Sequence, residues 1–169
     1  MLRLFQTLVR HCLLLLFITG YCQTVHAGQL NLIVNGKAIH LGVPTGMTMN
    51  EENWGLGLQY DYELIDDKWI PFATISGFID SLDNPSYYAG GGILRRYSVG
   101  QYKEKTLHFD IGAIAFLMTR EDHKNNEPFP GVLPVFSFGS RKAAINITYI
   151  PKIQPKLVPL WFLQLKFAL

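Results

Sequence analysis

Period-two alternation of apolar and polar residues, together with the turn-forming residues between the runs, indicates eight β-strands in the chain. In the clearest segment, residues 53–63, large apolar side chains share one face: Trp54, Leu56, Leu58, Tyr60 and Tyr62. Polar residues and glycine occupy the other face. The segments lie near residues 30–41, 53–63, 69–80, 87–97, 105–118, 132–139, 143–150 and 159–167. The pattern therefore predicts an all-β chain.

The connections between these segments alternate in length. Residues 66–68, 98–104 and 140–142 are short and polar, whereas residues 42–52, 82–86, 119–130 and 151–158 are mostly longer. Bacterial outer-membrane barrels have short periplasmic turns, longer outer loops and an even strand number. Strands of about 9–11 residues cross such a membrane, and closure pairs every backbone group. The predicted fold is an eight-stranded antiparallel transmembrane β-barrel of the bacterial outer membrane.

A soluble secreted β-sandwich and a lipocalin-like barrel are the alternatives to this fold. Aromatic residues near the strand ends are typical of the girdles at membrane interfaces. These residues are Trp54, Tyr60, Tyr62, Trp69, Tyr87, Tyr149 and Trp161. Their placement favours the membrane barrel.

The first 27 residues have the pattern of a secretory signal peptide. Arg3 and Arg10 form a basic region, residues 13–18 are apolar, and Val25-His26-Ala27 is a small-residue cleavage site. The apolar run is too short to span a membrane as a helix. We expect cleavage after Ala27, which divides the chain into a signal peptide, 1–27, and a barrel domain, 28–169.

Composition excludes several kinds of chemistry from the barrel domain. Both cysteines, Cys12 and Cys22, lie in the signal peptide, so the domain has no thiol nucleophile or disulfide. Loss of Arg3 and Arg10 from fifteen basic residues leaves thirteen, which equals the thirteen acidic residues. This balance does not suggest a nucleic-acid partner. No His, Asp and Glu cluster has the spacing of a metal site.

The stretch from Gly77 to Gly92 carries the most distinctive candidate chemistry. Asp80-Ser81 closes one predicted strand, and a carboxylate beside a hydroxyl can serve proton transfer or acyl chemistry. An ordinary polar turn is the alternative. Small residues at lumen-facing positions, with Ile114, Phe116 and Met118 nearby, could form a slot for a hydrocarbon chain. The same glycines could instead allow a narrow barrel to curve.

Several short motifs resemble the outer-membrane lipid A palmitoyltransferase family, PagP, over residues 40–167. They are Asn50-Glu51-x-x-Trp54-Gly55-x-Gly57, Asp80-Ser81 followed by Ala89-Gly90-x-Gly92, Thr119-Arg120, Leu133-Pro134 and Thr148-Tyr149-Ile150-Pro151. The family's fold is an eight-stranded outer-membrane barrel. The resemblance implies transfer of a palmitoyl or similar chain from a phospholipid to lipid A, without a cofactor. The chain differs from the family in having no proline in residues 30–40.

The resemblance also implies the site residues. His40, Asp80 and Ser81 match the catalytic positions, and Gly92 matches the floor of the acyl pocket. The prolines that open lateral gaps for substrate match Pro134 and Pro151. A further expectation, from loop position and charge, is that Arg120 contacts a lipid A phosphate.

Strand order provides a check on the proposed site. If strand one runs outward, then strand three also runs outward, so His40 and the Asp80-Ser81 pair reach the same rim. His40 has the strand parity of Leu32 and Val34, which means that a β-bulge intervenes or that those residues face the lumen. A neutral histidine at that rim could accept a proton from a serine or from a lipid A hydroxyl.

The predicted function is that of an acyltransferase integral to the outer membrane, with a phospholipid donor, a lipid A acceptor and no metal. The chain is expected to act as a monomer. Two alternatives remain open. One is a non-catalytic small barrel that serves adhesion or membrane integrity, since this fold hosts both kinds of protein. The other is a lipid hydrolase that uses the same site with water as the acceptor.

Overall fold

The computed structural model describes residues 28–122, 126–152 and 158–169, and the predicted signal peptide lies outside these ranges. The described residues form eight strands, which confirms the all-β prediction. They are β1 Gln29–His40, β2 Glu52–Asp61, β3 Trp69–Ile79, β4 Pro85–Tyr102, β5 Lys105–Thr119, β6 Phe129–Gly139, β7 Ala143–Ile150 and β8 Leu160–Ala168. Within the described ranges, no helix has the length and hydropathy needed to cross a membrane.

The strands close into a barrel in sequence order, and β1 pairs antiparallel with β8. We call the end with the loops after β1, β3, β5 and β7 the outer end. Strand β4 extends five residues past the predicted end at Tyr97, because Ser98 to Tyr102 pair with the start of β5. Most of the predicted connection at residues 98–104 therefore belongs to β4, and only Lys103-Glu104 forms the turn.

The outward face of the barrel is apolar and the inward face is largely polar, as expected for a transmembrane barrel. Exposed outward side chains include Trp54, Leu56, Leu58, Ile75, Ile93, Leu117, Val132, Phe138 and Leu165. Buried inward side chains include Asn31, Asn35, Gln59, Thr74, Ser76, Asp110, Asn146, Gln164 and Lys166. The apolar side chains of β2 point outward and its polar residues and glycines point inward, as the alternation predicted.

A hydrogen-bonded polar layer crosses the middle of the lumen. The Gln164 amide nitrogen donates to Asn35 Oδ1 at 2.6 Å and to the Tyr88 hydroxyl at 3.0 Å. The Asn35 amide nitrogen donates to Ser76 Oγ at 2.8 Å. Because these residues lie on β8, β1, β4 and β3, the layer joins distant strands across the interior.

Two buried ion pairs occupy the inner end of the lumen. Arg96 donates to both oxygens of Asp110 at 2.9 and 2.8 Å, and Lys166 Nζ lies 2.9 Å from Asp61 Oδ2. Asp110 and Lys166 are almost fully buried. Since each buried charge has a close opposite partner, the cost of removing it from water is offset. The inner end of the lumen is therefore lined by charge pairs.

The lumen-facing glycines permit close approach between neighbouring strands. A Cβ added at Gly90, Gly92 or Gly112 would collide with a backbone carbonyl oxygen of the adjacent strand. Phenylalanine side chains also pack against two of these glycines. The Cβ of Phe116 lies over Gly90, and the ring tip of Phe72 lies over Gly92. These contacts favour the interpretation that the glycines allow a narrow barrel to curve.

Candidate active site

A bulge in β1 turns His40 toward the lumen. Asn31, Ile33 and Asn35 are buried inside the barrel, whereas the next buried residue is Ala38. The register against β8 shifts between Asn35 and Ala38, so one extra residue lies between two inward positions. His40 follows two residues later and also points inward. The bulge resolves the parity conflict between His40 and Leu32 that the sequence presents.

The imidazole of His40 contacts the hydroxyl of Ser81 at the outer rim. Nε2 of His40 lies 2.9 Å from Ser81 Oγ, and the histidine side chain is only 1 % exposed. The loop after β1 holds Ser81 in place, because Asn50 N–H donates to the Ser81 carbonyl at 3.0 Å. The geometry allows a proton to pass between the hydroxyl and the imidazole.

Glu51 is a member of this site that sequence reasoning missed. Its Oε1 lies 3.8 Å from His40 Nδ1, which is too long for a hydrogen bond but close enough for charge attraction. Nδ1 has no hydrogen-bond partner among the described residues. The Glu51 carbonyl accepts the Ala38 N–H at 2.8 Å, which places the Glu51 backbone beside the end of β1, and Lys37 Nζ lies 3.7 Å from the other carboxylate oxygen. Hairpin topology could have revealed this, since the chain returns from the first loop beside His40.

Asp80 lies beside Ser81 as predicted, but its carboxylate anchors the turn after β3. Oδ1 accepts the N–H groups of Leu82 and Asn84 at 2.8 and 3.1 Å, and Oδ2 accepts the Ser86 hydroxyl at 3.0 Å. No hydrogen bond joins Asp80 to His40 in the described part of the chain. The carboxylate nearest the imidazole ring is instead that of Glu51.

Arg120 is held between two carboxylates. It makes a two-pronged contact with Asp122 at 2.9 and 3.2 Å, and its Nε lies 3.4 Å from Asp80 Oδ2. The guanidinium is 20 % exposed. These pairs offset its charge, so the expected contact with a lipid phosphate would compete with Asp80 and Asp122.

An apolar cavity of about 110 Å³ lies in the lumen below this rim. Asp80, Ser81 and Arg120 line its mouth. Most of the exposed wall is apolar and comes from Phe78, Tyr88, Phe116, Leu133, Ile150 and Phe162. Polar side chains also line the cavity: Asn53, Gln59, Thr74, Asn146, Thr148 and Gln164. Phe72 lines the deep end, directly across from Gly92 in the β3–β4 register. The predicted floor residue Gly92 thus lies behind the ring of Phe72.

The barrel wall is incompletely paired between β6 and β7. Their ladder has five pairs, from Gly139↔Ala144 to Val135↔Thr148, and it does not continue toward the outer end. Pro134 lies where the ladder stops, and proline has no N–H to donate. Pro151 directly follows β7. Leu133 and Ile150, which line the cavity, flank this unpaired stretch.

The described residues contain no group of three or more His, Cys, Asp or Glu that could hold a metal ion. The fold and the site together define an outer-membrane β-barrel whose outer rim carries a His–Ser pair above an apolar lumenal slot. The particular family follows from comparison. The chain belongs to the PagP family, whose model, "Antimicrobial peptide resistance and lipid A acylation protein PagP", matches residues 24–163.

Curated relatives support this membership. The chain is 35% identical over 104 residues to "Lipid A acyltransferase PagP" of Bordetella pertussis (strain Tohama I), covering 62% of this chain and 54% of the relative. It is 32% identical over 104 residues to the protein of the same name from Methylobacillus flagellatus, with the same coverage. The chain therefore spans about half the length of the curated relatives it matches.

Solved barrels provide a more distant comparison. The crystal structure of Ail, the attachment invasion locus protein of Yersinia pestis, aligns with a TM-score of 0.43 and 12% sequence identity. The alignment covers 84% of this chain and 97% of that chain.

The contacts of Asp80 predict a structural effect that can be measured without substrate. Asp80→Ala removes the acceptor of two amides and one hydroxyl, and hydrogen bonds to a charged group contribute about 1.5–3 kcal/mol each. We expect faster hydrogen exchange at the Leu82 and Asn84 amides and a lower free energy of unfolding. Asp122→Ala, at an exposed position, is the matched control. Unchanged exchange at both amides in Asp80→Ala would show that Asp80 does not anchor the turn.

Proposed function

We propose that this barrel is an acyltransferase that moves a long acyl chain from a phospholipid to lipid A. The observation that carries the proposal is the 2.9 Å contact between His40 Nε2 and Ser81 Oγ at the mouth of an apolar lumenal cavity. Membership of the PagP family supports it, since the matched relatives bear the name lipid A acyltransferase. Both lipids are amphipathic, so a membrane-embedded site can meet them without extracting either into water.

The depth of the lumen suits a complete acyl chain. From Asp80 at the mouth to Phe72 at the deep end, β3 covers eight residues, or ~26 Å at ~3.3 Å per residue. A strand tilt of ~40° reduces this to a depth of about 20 Å. One leaflet supplies about half of the ~30 Å hydrocarbon core. The distance from the rim to Phe72 therefore matches the length of an acyl chain that fills one leaflet.

The chemistry proposed at the rim is direct transfer with His40 as the general base. Nε2 accepts the proton of the lipid A hydroxyl, whose oxygen attacks the ester carbonyl of the phospholipid. The ester bond to the glycerol oxygen then breaks, and that oxygen takes the proton from His40 as the lysophospholipid leaves. In this scheme Ser81 orients the imidazole and the incoming hydroxyl.

Two carboxylates support these groups in different ways. Glu51 faces Nδ1 of His40 and stabilises the imidazolium that forms during transfer, because an opposite charge within about 4–6 Å favours the charged form. Asp80 fixes the turn that presents Ser81. The stretch between Pro134 and Pro151, where β6 and β7 are unpaired, offers an acyl chain a lateral route from the membrane into the cavity.

The most direct test of this function is mass spectrometry of lipid A. Cells that express the wild-type chain should contain lipid A with one additional acyl chain, and an equal amount of lysophospholipid. His40→Ala should lower this product at least 100-fold, since a positioned base contributes about 10²–10⁴ in rate. Ser81→Ala should lower it by a smaller factor, because the imidazole and the incoming hydroxyl lose the group that orients them. His108→Ala, a histidine at the inner end, is the control and should retain transfer.

Other results would contradict the proposal in distinguishable ways. Free fatty acid and lysophospholipid without any change in lipid A would identify a hydrolase. An unchanged lipid profile, with all variants folded by heat-modifiable gel mobility, would identify a non-catalytic barrel.

The role of Glu51 predicts a second kinetic result. Glu51→Gln should lower kcat roughly tenfold, a loss of about 1.4 kcal/mol of transition-state stabilisation, with little change in KM for the phospholipid. Glu51→Asp should restore part of the rate. Glu52→Gln, the neighbouring exposed carboxylate on β2, is the matched control. Equal kcat values for Glu51→Gln and Glu52→Gln would exclude the proposed role.

A further inference from the structure

We infer that Phe72, and not Gly92 itself, sets the depth of the acyl slot and so selects the chain length that the barrel accepts. This inference rests on the proposed function, because it concerns the donor chain of that reaction. In this arrangement Gly92 provides the space into which the Phe72 ring fits.

The position of the ring carries the inference. A Cβ built on Gly92 would lie 2.7 Å from Cζ and 2.8 Å from Cε1 of Phe72, so the ring tip occupies the space above the glycine. Phe72 is 4 % exposed and lines the deep end of the cavity. A chain that entered from the rim would therefore meet the aromatic ring before it could reach Gly92.

A thin apolar partition separates this cavity from a second one at the inner end of the barrel. Phe72 lines the outer cavity, whereas Ile70, the next inward-facing residue on β3, lines an inner vestibule of about 370 Å³. Both pack with Leu94, Ile114 and Val135 in one buried cluster. Along β3, the partition is thus only as thick as two side chains.

The far side of the partition is unfavourable for hydrocarbon. The inner vestibule is lined by the two ion pairs, Arg96 with Asp110 and Lys166 with Asp61. A terminal methyl group that passed Phe72 would lie against the buried charged groups and replace polar contacts with hydrocarbon. This costs free energy, because buried charges need polar partners. Phe72 therefore ends the slot sterically, and the charge pairs behind it limit any further extension.

This arrangement predicts opposite effects for changes on its two sides. Phe72→Ala removes the ring, so the terminal carbons of a longer acyl chain can occupy the space that the ring leaves. Gly92→Ala adds a Cβ that also collides with the Ala113 carbonyl oxygen, so the variant is compared only after its folding has been verified; in the folded variant the ring tip must move toward the cavity, and a shorter chain should fit best. Simple loss of packing would not move the preferred length in opposite directions.

The experiment uses the purified full-length barrel in mixed micelles with phosphatidylcholines whose chains differ in steps of two carbons. The donor lipids compete for transfer to lipid A, and mass spectrometry measures the amount of each acylated product. Burial of one methylene contributes about 0.8 kcal/mol, or roughly fourfold in rate. Phe72→Ala should therefore raise the ratio of the longer to the shorter product about tenfold or more per step, and Gly92→Ala should lower it.

The controls separate this inference from the proposed function. Phe138→Ala removes an equal side chain from the outward face and should leave the product ratio as in the wild type. If the wild-type barrel transfers acyl chains and Phe72→Ala gives the same product ratio as the wild type, the role of Phe72 is wrong and the proposed acyltransferase function stands. If Phe72→Ala does not fold, Phe72→Leu provides the same test with a smaller expected shift.

Binding provides a readout that does not depend on transfer. Alkyl phosphocholine detergents of graded length should bind the wild-type lumen with an optimum length, measured by thermal stabilisation of the barrel. In Phe72→Ala that optimum should move to longer chains even if the wild type transfers nothing. An optimum that stays in place would overturn the role of Phe72.

Discussion

The width of an eight-stranded barrel is the constraint on which the rest of this structure depends. Such an interior holds side chains or one narrow ligand, but not both at the same level. The chain divides the space along the barrel axis. Two ion pairs, Arg96 with Asp110 and Lys166 with Asp61, line the inner end. Aromatic and aliphatic side chains leave a cavity in the outer half.

The same constraint explains why the reactive groups lie at the rim. An inward-facing histidine can contact lipid headgroups only where the lumen opens, and the bulge in β1 turns His40 inward at that level. Two loops then fix the partners of the imidazole: the turn after β3 presents Ser81, and the loop before β2 returns Glu51. The geometry of the site thus depends on these two loops. The turn after β3 is held by hydrogen bonds between residues close in sequence, such as those from Leu82 and Asn84 to the Asp80 carboxylate.

Strand number, faces and closure could be predicted because they follow from period-two alternation, which is a local property of the sequence. The positions of His40 and Ser81 at one rim followed from strand direction alone. Glu51 and Phe72 could not be assigned in the same way. The position of Glu51 depends on the path of a loop, and that of Phe72 depends on which side chain of β3 fills the space left by a glycine on β4. Alternation specifies neither the path of a loop nor the register between strands.

The central claim is that a single acyl slot runs from the His40–Ser81 pair to Phe72. Crystals of the barrel soaked with a phospholipid analogue that carries bromine on its terminal acyl carbon would test it directly. The account predicts an anomalous bromine peak in van der Waals contact with the Phe72 ring, and the ester carbonyl beside His40 and Ser81. A bromine peak at the outer rim or on the lipid-facing surface, with the lumenal cavity free of the chain, would contradict it.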